Sequence, residues 1–319
     1  MLKKFISLLS TVALLFTLVL IGCNKTENES NGKINVVSTI FPQYDFSRQI
    51  AGENANLKML IPPAGESHTY EPTPQDIISI ENSDVFLYIG GENDKWVDDI
   101  LDGIDTNKTK VIKLMDYVDT VDEEIVEGMQ EHIEEHEEEH DETHSKDEHI
   151  WTSPINAISM VNAICDAMCN VDEKNSDIYK ENADIYISQL KDLDAKFRNV
   201  VDNAEHNELV FGDRFPLRYF TDEYSLEYYA AFPGCSSETE PSAATIAFLT
   251  DKVKEDKISV ILKIELSNGV VANTIAEETN TEVMTFYSCH NLTKEQFENG
   301  ETYLSMMTEN VTTLQKALE

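Results

Sequence analysis

The sequence predicts an α/β fold in which two parallel-sheet lobes are joined by one long, rigid helix. Short apolar runs alternate with helix-like segments in each half of the chain, a pattern typical of βαβ units and a parallel sheet. A helical pattern from about 154 to 203, with no internal Pro or Gly, separates the halves. These features predict an N-terminal lobe over 34–153, a linking helix over 154–203 and a C-terminal lobe over 204–319.

Apolar runs bounded by polar residues predict the elements of each lobe. In the N-terminal lobe, strands are predicted over 34–40, 57–61, 84–90 and 110–114, with helices over 44–51, 74–82 and 96–101. In the C-terminal lobe, strands are predicted over 208–212, 260–264 and 282–286, with helices over 217–224, 242–255 and 271–279. Ligands bind at the carboxyl ends of parallel strands, so we expect the site in the cleft between the lobes.

The N-terminus predicts export and a lipid anchor. Two lysines precede an apolar run that ends in Leu20-Ile21-Gly22-Cys23, which resembles a bacterial lipobox. We therefore expect a lipoprotein signal peptide over 1–23, a lipidated Cys23 and a polar tether over 24–33, which together hold an extracytoplasmic protein to the membrane. The alternative is an uncleaved membrane anchor helix, for which the apolar run is slightly short.

The charge balance excludes one class of partner. Lys and Arg total 24 and Asp and Glu total 60, which gives a formal net charge of −36. Nucleic-acid binders need a basic face that releases counterions, so nucleic acid is not expected as a partner. This excess of acidic residues suits a soluble protein that handles cations. Separately, we expect the protein to be a monomer.

The cysteines can form disulfides in an extracytoplasmic location. Cys165 and Cys169 are four residues apart in a helical pattern, which usually leaves the sulfur atoms too far apart for an unstrained bridge. Cys235 and Cys289 both lie in loop-like segments, and we predict that they pair. The alternative is that all four are free, buried thiols.

Four of the eight histidines recur at every fourth position of an acidic loop over 121–148. Neutral imidazole is a common zinc ligand, and nearby carboxylates lower the electrostatic cost of bringing in a cation. We interpret this loop as a weak, multi-site metal collector rather than the main site, and the alternative is a solvated charged loop. Its histidines are His132, His136, His140 and His144.

Two further histidines lie in loops that are expected to face the cleft. His68 follows a predicted strand and precedes a predicted helix, and His149 lies between the acidic loop and the linking helix. Their placement favours a shared site at the strand ends. Spacing alone does not decide between metal ligands and structural histidines.

The segments around these two histidines resemble motifs of the metal-binding lipoproteins of ABC importers. His68 with Tyr70-Glu71-Pro72-Thr73-Pro74 is similar to the first motif, and His149-Ile150-Trp151-Thr152-Ser153-Pro154 is similar to the second. The acidic His-rich loop before the second motif resembles the zinc-specific branch of this family. The resemblance covers 34–318. It implies two lobes on a stiff connecting helix, a metal in the cleft, and His68 and His149 as its first two ligands.

The remaining ligands are less clear from the resemblance. The family's third ligand is a His or Glu, and here that position falls on Arg214, which stays protonated and cannot bind a metal. The adjacent Asp213 is the candidate if the loop is shifted by one residue, and the alternative is a site that lacks this ligand. The loop that holds the family's fourth ligand offers His290 here. Further candidates are Glu238, Glu240 and Glu265.

The candidate ligands favour Zn²⁺ as the transported ion, because three imidazoles suit zinc, whereas more oxygen ligands would suit Mn²⁺. The predicted function is capture of the metal outside the cytoplasmic membrane and its delivery to an ABC permease and its ATPase. The alternatives are a Mn²⁺-binding homologue, a metal-dependent surface adhesin and an extracellular zinc hydrolase. No Gly-x-Ser-x-Gly motif is present, and we do not expect an enzyme.

Overall fold

The computed structural model describes residues 32–67, 69–105, 108–129, 145–236 and 240–319. The predicted signal peptide, the lipidated Cys23, nearly all of the tether, His68, Glu238 and the four collector histidines lie outside these residues. The chain divides into two units, Met1–Lys33 and Ile34–Glu319, and the fold described below lies in the second. Within the described ranges, no helix is both long enough and apolar enough to cross a bilayer.

Four parallel strands form the N-terminal sheet, in the spatial order β2-β1-β3-β4. The central strand is fixed in register by the pairing of Val36 with Leu57 on one side and with Val85 on the other. In chain order the elements are β1 (Ile34–Ser38), α1 (Phe41–Ala51), β2 (Ala55–Met59), α2 (Pro74–Glu81), β3 (Val85–Tyr88), α3 (Lys95–Gly103) and β4 (Lys110–Lys113). The sequence predicts all seven, with ends that differ by a few residues.

The segment between the lobes forms two helices, which corrects the prediction of a single helix over 154–203. The first, α4 (Pro154–Val171), is followed by a short turn and then by α5 (Ser176–Asp202). The break falls at Asp172, whose carboxylate accepts hydrogen bonds from Asn175 Nδ2 and from the Tyr179 hydroxyl, each at 2.7 Å. Such local side-chain bonds compete with continuation of a helix, and they need neither Pro nor Gly.

The C-terminal sheet repeats the topology of the first, with four parallel strands in the order β6-β5-β7-β8. Its edge strand β6 is not predicted from the sequence. The 27-residue helix α5 packs against α1 of the first lobe and α6 of the second, so α5 is the long connecting helix. The elements are β5 (Glu208–Phe215), α6 (Arg218–Tyr224), β6 (Glu227–Pro233), α7 (Ala243–Glu255), β7 (Val260–Lys263), α8 (Val270–Thr279), β8 (Glu282–Thr285), α9 (Lys294–Glu298) and α10 (Tyr303–Ala317).

Both sheets have a topological switch point, because the strand that follows the first strand lies on one side of it and the later strands lie on its other side. The switch points lie between β1 and β3 and between β5 and β7. Ligands of such sheets bind outside the carboxyl ends of the strands at these points. The segments that follow these strands line two adjoining pockets, which share Ser67 and His290. We therefore expect the site where these two pockets adjoin, at the carboxyl ends of the strands.

Candidate metal centre

The larger of the two pockets lies where loops of both lobes meet, and we call it the metal pocket. Its volume is about 510 Å³. The N-terminal side contributes residues 65–67 and His149, from the segment that leads into α4. The C-terminal lobe contributes the ends of β5, β6 and β7 and the loop after β8: Arg214, Pro216, Gly234, Ile264, Glu265, Leu266, Ser288, His290 and Asn291.

His149 is oriented in the wall of this pocket by one carboxylate. Its side chain is fully buried, and its Nδ1 lies 3.0 Å from Asp147 Oδ1, which also accepts the His149 backbone N–H at 2.8 Å. An ionised carboxylate only accepts hydrogen bonds, so Nδ1 must donate. The other ring nitrogen, Nε2, is buried and has no hydrogen-bond partner among the described residues. Metal-binding histidines have this arrangement, with one nitrogen held by a carboxylate and the other directed at the ion.

The electrostatic environment of His149 is acidic. Burial lowers the pKa of the imidazole, but Asp147, Glu148 and Glu123 raise it, and the pKa lies above its usual value. Glu148 is itself buried, and this burial raises the pKa of its carboxyl to about 7. The pocket wall therefore favours positive charge at His149, whether the charge is that of a proton or that of a bound cation.

His290 faces His149 across the pocket. The two imidazole centroids are 5.7 Å apart, and the ring of Trp151 lies 5.1 Å from that of His290. The loop is held by Trp151 Nε1, which donates to the Ser288 carbonyl at 2.8 Å, and by the His290 backbone N–H, which donates to Glu265 Oε1 at 3.0 Å. The structure thus brings together two of the predicted ligands.

The loop that carries His68 forms a third wall of the metal pocket. His68 itself lies outside the described residues, but Gly65, Glu66 and Ser67 line the pocket. Asn291 fixes this loop, because its Nδ2 donates to the Gly65 carbonyl at 2.8 Å and to the carbonyl of Pro62 at 3.0 Å. The segment before His68 is thereby attached to the loop of His290.

Asp213 does not line the metal pocket, in contrast to its predicted role as a ligand. Its Oδ1 accepts the Arg214 backbone N–H at 2.9 Å and its Oδ2 accepts the Ile264 N–H at 3.3 Å, so both oxygens bind backbone. Asp213 borders a separate pocket beside α8. Arg214 lines the metal pocket instead, where Nη1 donates to the Ser236 carbonyl at 3.2 Å.

The other two described carboxylate candidates differ in position. Glu265 is buried at the pocket, and its oxygens accept hydrogen bonds from the Ser288 N–H at 2.6 Å, the Ser288 hydroxyl at 2.7 Å and the His290 N–H. Burial raises the pKa of this carboxyl despite these bonds. Glu265 thus supports the His290 loop. Glu240 is exposed and is not part of the pocket wall.

The predicted disulfide between Cys235 and Cys289 is wrong in this structure, since all four described cysteines are free thiols. The two side chains have different surroundings. Cys289 is fully buried near Glu265, and burial raises the pKa of its thiol. The Cys235 Sγ lies 3.5 Å from Glu148 Oε1 instead. Cys165 and Cys169 also remain thiols, with their sulfur atoms 3.9 Å apart on α4.

The base of the acidic loop lies against the C-terminal lobe. Its two ends pair through an antiparallel bridge between Asp122 and Lys146. Glu123 Oε1 accepts the Cys235 backbone N–H at 3.0 Å, and the Tyr219 hydroxyl donates to the Asp147 carbonyl at 2.7 Å. The loop therefore begins and ends close to the segment that carries His149.

Three residues that shape the pocket are not among the predicted ligands. Asp147 orients His149, Trp151 supports the His290 loop, and Gly234 leaves room for the imidazole. A Cβ at Gly234 would lie 3.1 Å from His149 Cε1 and 2.8 Å from the Phe215 carbonyl oxygen. Two of them have a signal in the sequence: a carboxylate two residues before a candidate ligand, such as Asp147, is a natural hydrogen-bond partner for it, and Trp151 belongs to the motif around His149.

The described residues provide two neighbouring imidazoles, those of His149 and His290. Within the described ranges, which omit residue 68, no group of three or more His, Cys, Asp or Glu side chains could hold a metal ion. A third nitrogen ligand is expected from His68, whose loop forms the adjacent wall. Two parallel α/β lobes that meet at an imidazole-lined pocket define a two-lobed binding protein of the kind that captures a small ligand at its switch points.

The chain belongs to the ZnuA family. The family described as "Zinc-uptake complex component A periplasmic" matches residues 36–317. The chain is 31% identical over 322 residues to the high-affinity zinc uptake system protein ZnuA of Bacillus subtilis, an alignment that covers 100% of this chain and 99% of the relative.

A second relative and a solved structure agree with this assignment. The chain is 32% identical over 318 residues to the zinc-binding lipoprotein AdcA of Streptococcus pneumoniae; the alignment covers 99% of this chain and 61% of the longer relative. The crystal structure of the Zn(II)-bound ZnuA-like domain of that AdcA superposes with a TM-score of 0.73 at 31% identity, covering 90% of this chain and 99% of the domain. The predicted fold of two parallel-sheet lobes is confirmed.

Proposed function

We propose that the protein is the extracytoplasmic solute-binding lipoprotein of a metal ABC importer. It binds Zn²⁺ in the metal pocket and delivers the ion to a membrane permease that works with an ATPase. The observation that carries the proposal is the buried Nε2 of His149, which has no hydrogen-bond partner among the described residues; its ring lies 5.7 Å from that of His290 and is held in place by Asp147. The names of the relatives, a zinc-binding lipoprotein and a zinc uptake protein, support zinc as the cargo.

In this proposal His68, His149 and His290 bind the ion, and Cys23 carries the lipid that holds the protein at the membrane. A nitrogen-rich site favours Zn²⁺ over Mn²⁺, which prefers oxygen ligands.

The proposal is tested by calorimetry on the mature chain with each metal, together with zinc-limited growth of cells that lack the gene. One tight Zn²⁺ site and restored growth support it, whereas tighter binding of Mn²⁺ would favour the manganese alternative.

The hydrolase alternative has one formal motif in its favour. His136-Glu137-Glu138-Glu139-His140 matches the His-Glu-x-x-His pattern of zinc proteases, although it lies in an acidic tract where such a match arises readily. Deletion of this tract separates the two functions. A carrier keeps its tight zinc site, whereas a protease that depended on the motif would lose its metal.

Deletion of 130–144 is the first prediction. We expect the tight site to keep its affinity, because His149 and His290 of the metal pocket lie outside the deleted segment, and we expect the weaker sites to disappear. Calorimetry gives both the affinity and the number of bound ions. If the deletion abolished tight binding, the His-rich tract would be the main site and the pocket would not be.

Asp147→Asn is expected to weaken zinc binding by about 10–100-fold, the usual effect of changing the hydrogen-bond partner of a metal-binding histidine. Asparagine keeps an oxygen near Nδ1 but removes the charge that makes the imidazole a better ligand. Asp172→Asn is the matched control, because Asp172 is also buried and hydrogen-bonded but lies at the break between α4 and α5. Equal zinc affinity in the Asp147 variant and the wild type would contradict the role of Asp147.

Zinc affinity is expected to fall as the pH falls through the raised pKa of His149. The metal needs the neutral imidazole, and protons compete for it. The stability of the metal-free protein changes with pH in the opposite direction. Because the pKa of His149 is raised in the folded state, its protonation stabilises the fold at low pH, and this stabilisation is lost as the pH rises through the raised pKa. The measurement is the zinc Kd and the proton release between about pH 5 and 8. A flat profile would contradict the raised pKa of His149.

A further inference from the structure

Cys165 and Cys169 form a pair of thiols near the end of α4, where the chain turns back into α5. Their sulfur atoms lie 3.9 Å apart, and Cys169 Sγ also donates to the Ser176 carbonyl at 3.6 Å, at the first residue of α5. Cys165 is buried and Cys169 is half-buried, so solvent reaches the pair through Cys169. Neither thiol lines the metal pocket, and the proposed function uses neither of them.

The spacing of the two sulfur atoms suits a bridging ion better than a disulfide. Side chains four residues apart on a helix have Cβ atoms about 5–6 Å apart, whereas a disulfide requires about 3.8 Å. An ion that binds two thiolates at about 2.3 Å each holds the sulfurs about 3.8 Å apart at a tetrahedral angle and about 4.6 Å apart when the arrangement is linear. The observed separation of 3.9 Å lies in this range, so an ion fits with little movement of the helix.

The ligands available to such an ion are two sulfur atoms. Zn²⁺ in structural sites almost always takes four ligands. Among the residues that the structure describes, no third His, Cys, Asp or Glu joins these two thiols in a metal-binding group. Thiolates select soft metals, and Cu(I) is the soft biological ion that accepts two ligands in a linear arrangement. The ligand set therefore favours Cu(I) over Zn²⁺.

We propose that Cys165 and Cys169 bind a Cu(I) ion at a site outside the metal pocket. The ion joins two successive turns of α4 just before the break at Asp172, and it stabilises that end of the helix. None of the proposed zinc ligands takes part, so the inference does not depend on the proposed function.

Burial keeps the thiol pair protonated until the metal binds. It raises the pKa of the Cys165 thiol to about 12, Cys169 adds to this rise, and the positive charge of Lys180 on α5 opposes it. A protonated thiol is a poor nucleophile, so the pair resists oxidation at neutral pH. Cu(I) displaces one proton from each thiol as the two sulfur–metal bonds form. The resulting complex carries a single negative charge, which Lys180 partly offsets.

Competition with a coloured Cu(I) chelator tests the proposal on the mature, zinc-loaded chain, with ascorbate present and oxygen excluded. The wild type is expected to retain one Cu(I) ion more than Cys165→Ser or Cys169→Ser. Loss of either thiol should weaken binding by about 10²–10⁴-fold, the usual gain from attaching two binding groups to one scaffold. Cys169→Ser changes the half-buried position and serves as the second variant in case serine at buried Cys165 impairs folding. Cys235→Ser is the matched control, since it removes another half-buried thiol, and it is expected to keep the ion.

X-ray absorption at the copper edge identifies the ligands of the additional ion. Two sulfur neighbours are expected for the wild type. Thermal unfolding gives an independent readout, because an ion that binds only the folded state raises the Tm. Cu(I) is expected to raise the Tm of the wild type and of Cys235→Ser, but not that of Cys169→Ser.

Three results would overturn the inference. The first is equal Cu(I) retention by the wild type and both serine variants of the pair, and the second is nitrogen neighbours of the additional ion, which would place it at imidazoles. The third is loss of the ion in Cys235→Ser, which would place it at another thiol. Zinc affinity of the same variants is expected to equal that of the wild type. A chain that binds zinc but no additional Cu(I) overturns this inference alone, whereas one that binds Cu(I) but no zinc overturns only the proposed function.

Discussion

His149→Ala is expected to lower the zinc affinity by about two to three orders of magnitude. Zinc sites with four protein ligands gain about 10–16 kcal/mol, so one ligand accounts for roughly 3 kcal/mol. The substitution also leaves the Asp147 carboxylate buried without the imidazole that it binds. Calorimetry with Zn²⁺ gives the change in affinity, and thermal unfolding of the metal-free variant checks that the fold is intact.

The control for this prediction is His206→Ala. His206 is half-buried just before β5, at the end of the C-terminal sheet opposite the metal pocket, so its loss tests the effect of removing any imidazole. We expect its zinc affinity to equal that of the wild type. His149→Gln preserves more of the side-chain volume and is expected to weaken binding as much as alanine does. If His149→Ala bound zinc as tightly as the wild type, the pocket would not be the metal site.

The sequence predicts the two sheets well because their strands are short, apolar and bounded by polar residues. Val85–Tyr88 and Val260–Lys263 are nearly continuous buried runs, as expected of central parallel strands. The edge strand Glu227–Pro233 follows directly on α6 and lacks a clear boundary, so the pattern does not separate it from its surroundings. The break at Asp172 is equally hidden, because it depends on hydrogen bonds to Asn175 and Tyr179 rather than on Pro or Gly.

Motifs and residue types predict candidate ligands, but not the directions of their side chains. His149 is a candidate ligand by its motif and His290 by its loop, and the structure places their rings 5.7 Å apart. Their role as ligands stays a prediction. Asp213 was a candidate by position in the sequence, but its oxygens bind the backbone of Arg214 and Ile264. The direction of a side chain at the end of a strand depends on a neighbouring strand far away in the sequence, which no local pattern records.

Trp151→Ala is expected to lower the free energy of unfolding of the metal-free protein by about 3–5 kcal/mol, the usual cost of removing a large buried aromatic side chain. Trp151 is almost completely buried, and it connects segments that are distant in the sequence. Its indole N–H donates to the Ser288 carbonyl, and its backbone carbonyl accepts the Tyr303 hydroxyl at 2.8 Å. Trp151→Phe keeps an aromatic ring but leaves the Ser288 carbonyl unpaired, so a smaller loss of about 1–3 kcal/mol is expected.

The same variants link stability to the metal site. Because the indole supports the loop of His290, Trp151→Ala is expected to weaken zinc binding as well as folding, although it removes no ligand. Trp96→Ala is the matched control, because Trp96 is the only other tryptophan of the sequence. It lies on α3, is half-buried against Tyr70 and is not part of the metal pocket. Its loss should cost less stability and leave zinc affinity unchanged. Urea unfolding with and without Zn²⁺ measures both effects. If Trp151→Ala lost stability but kept full zinc affinity, the His290 loop would hold its position without the indole, and its anchor would be Glu265.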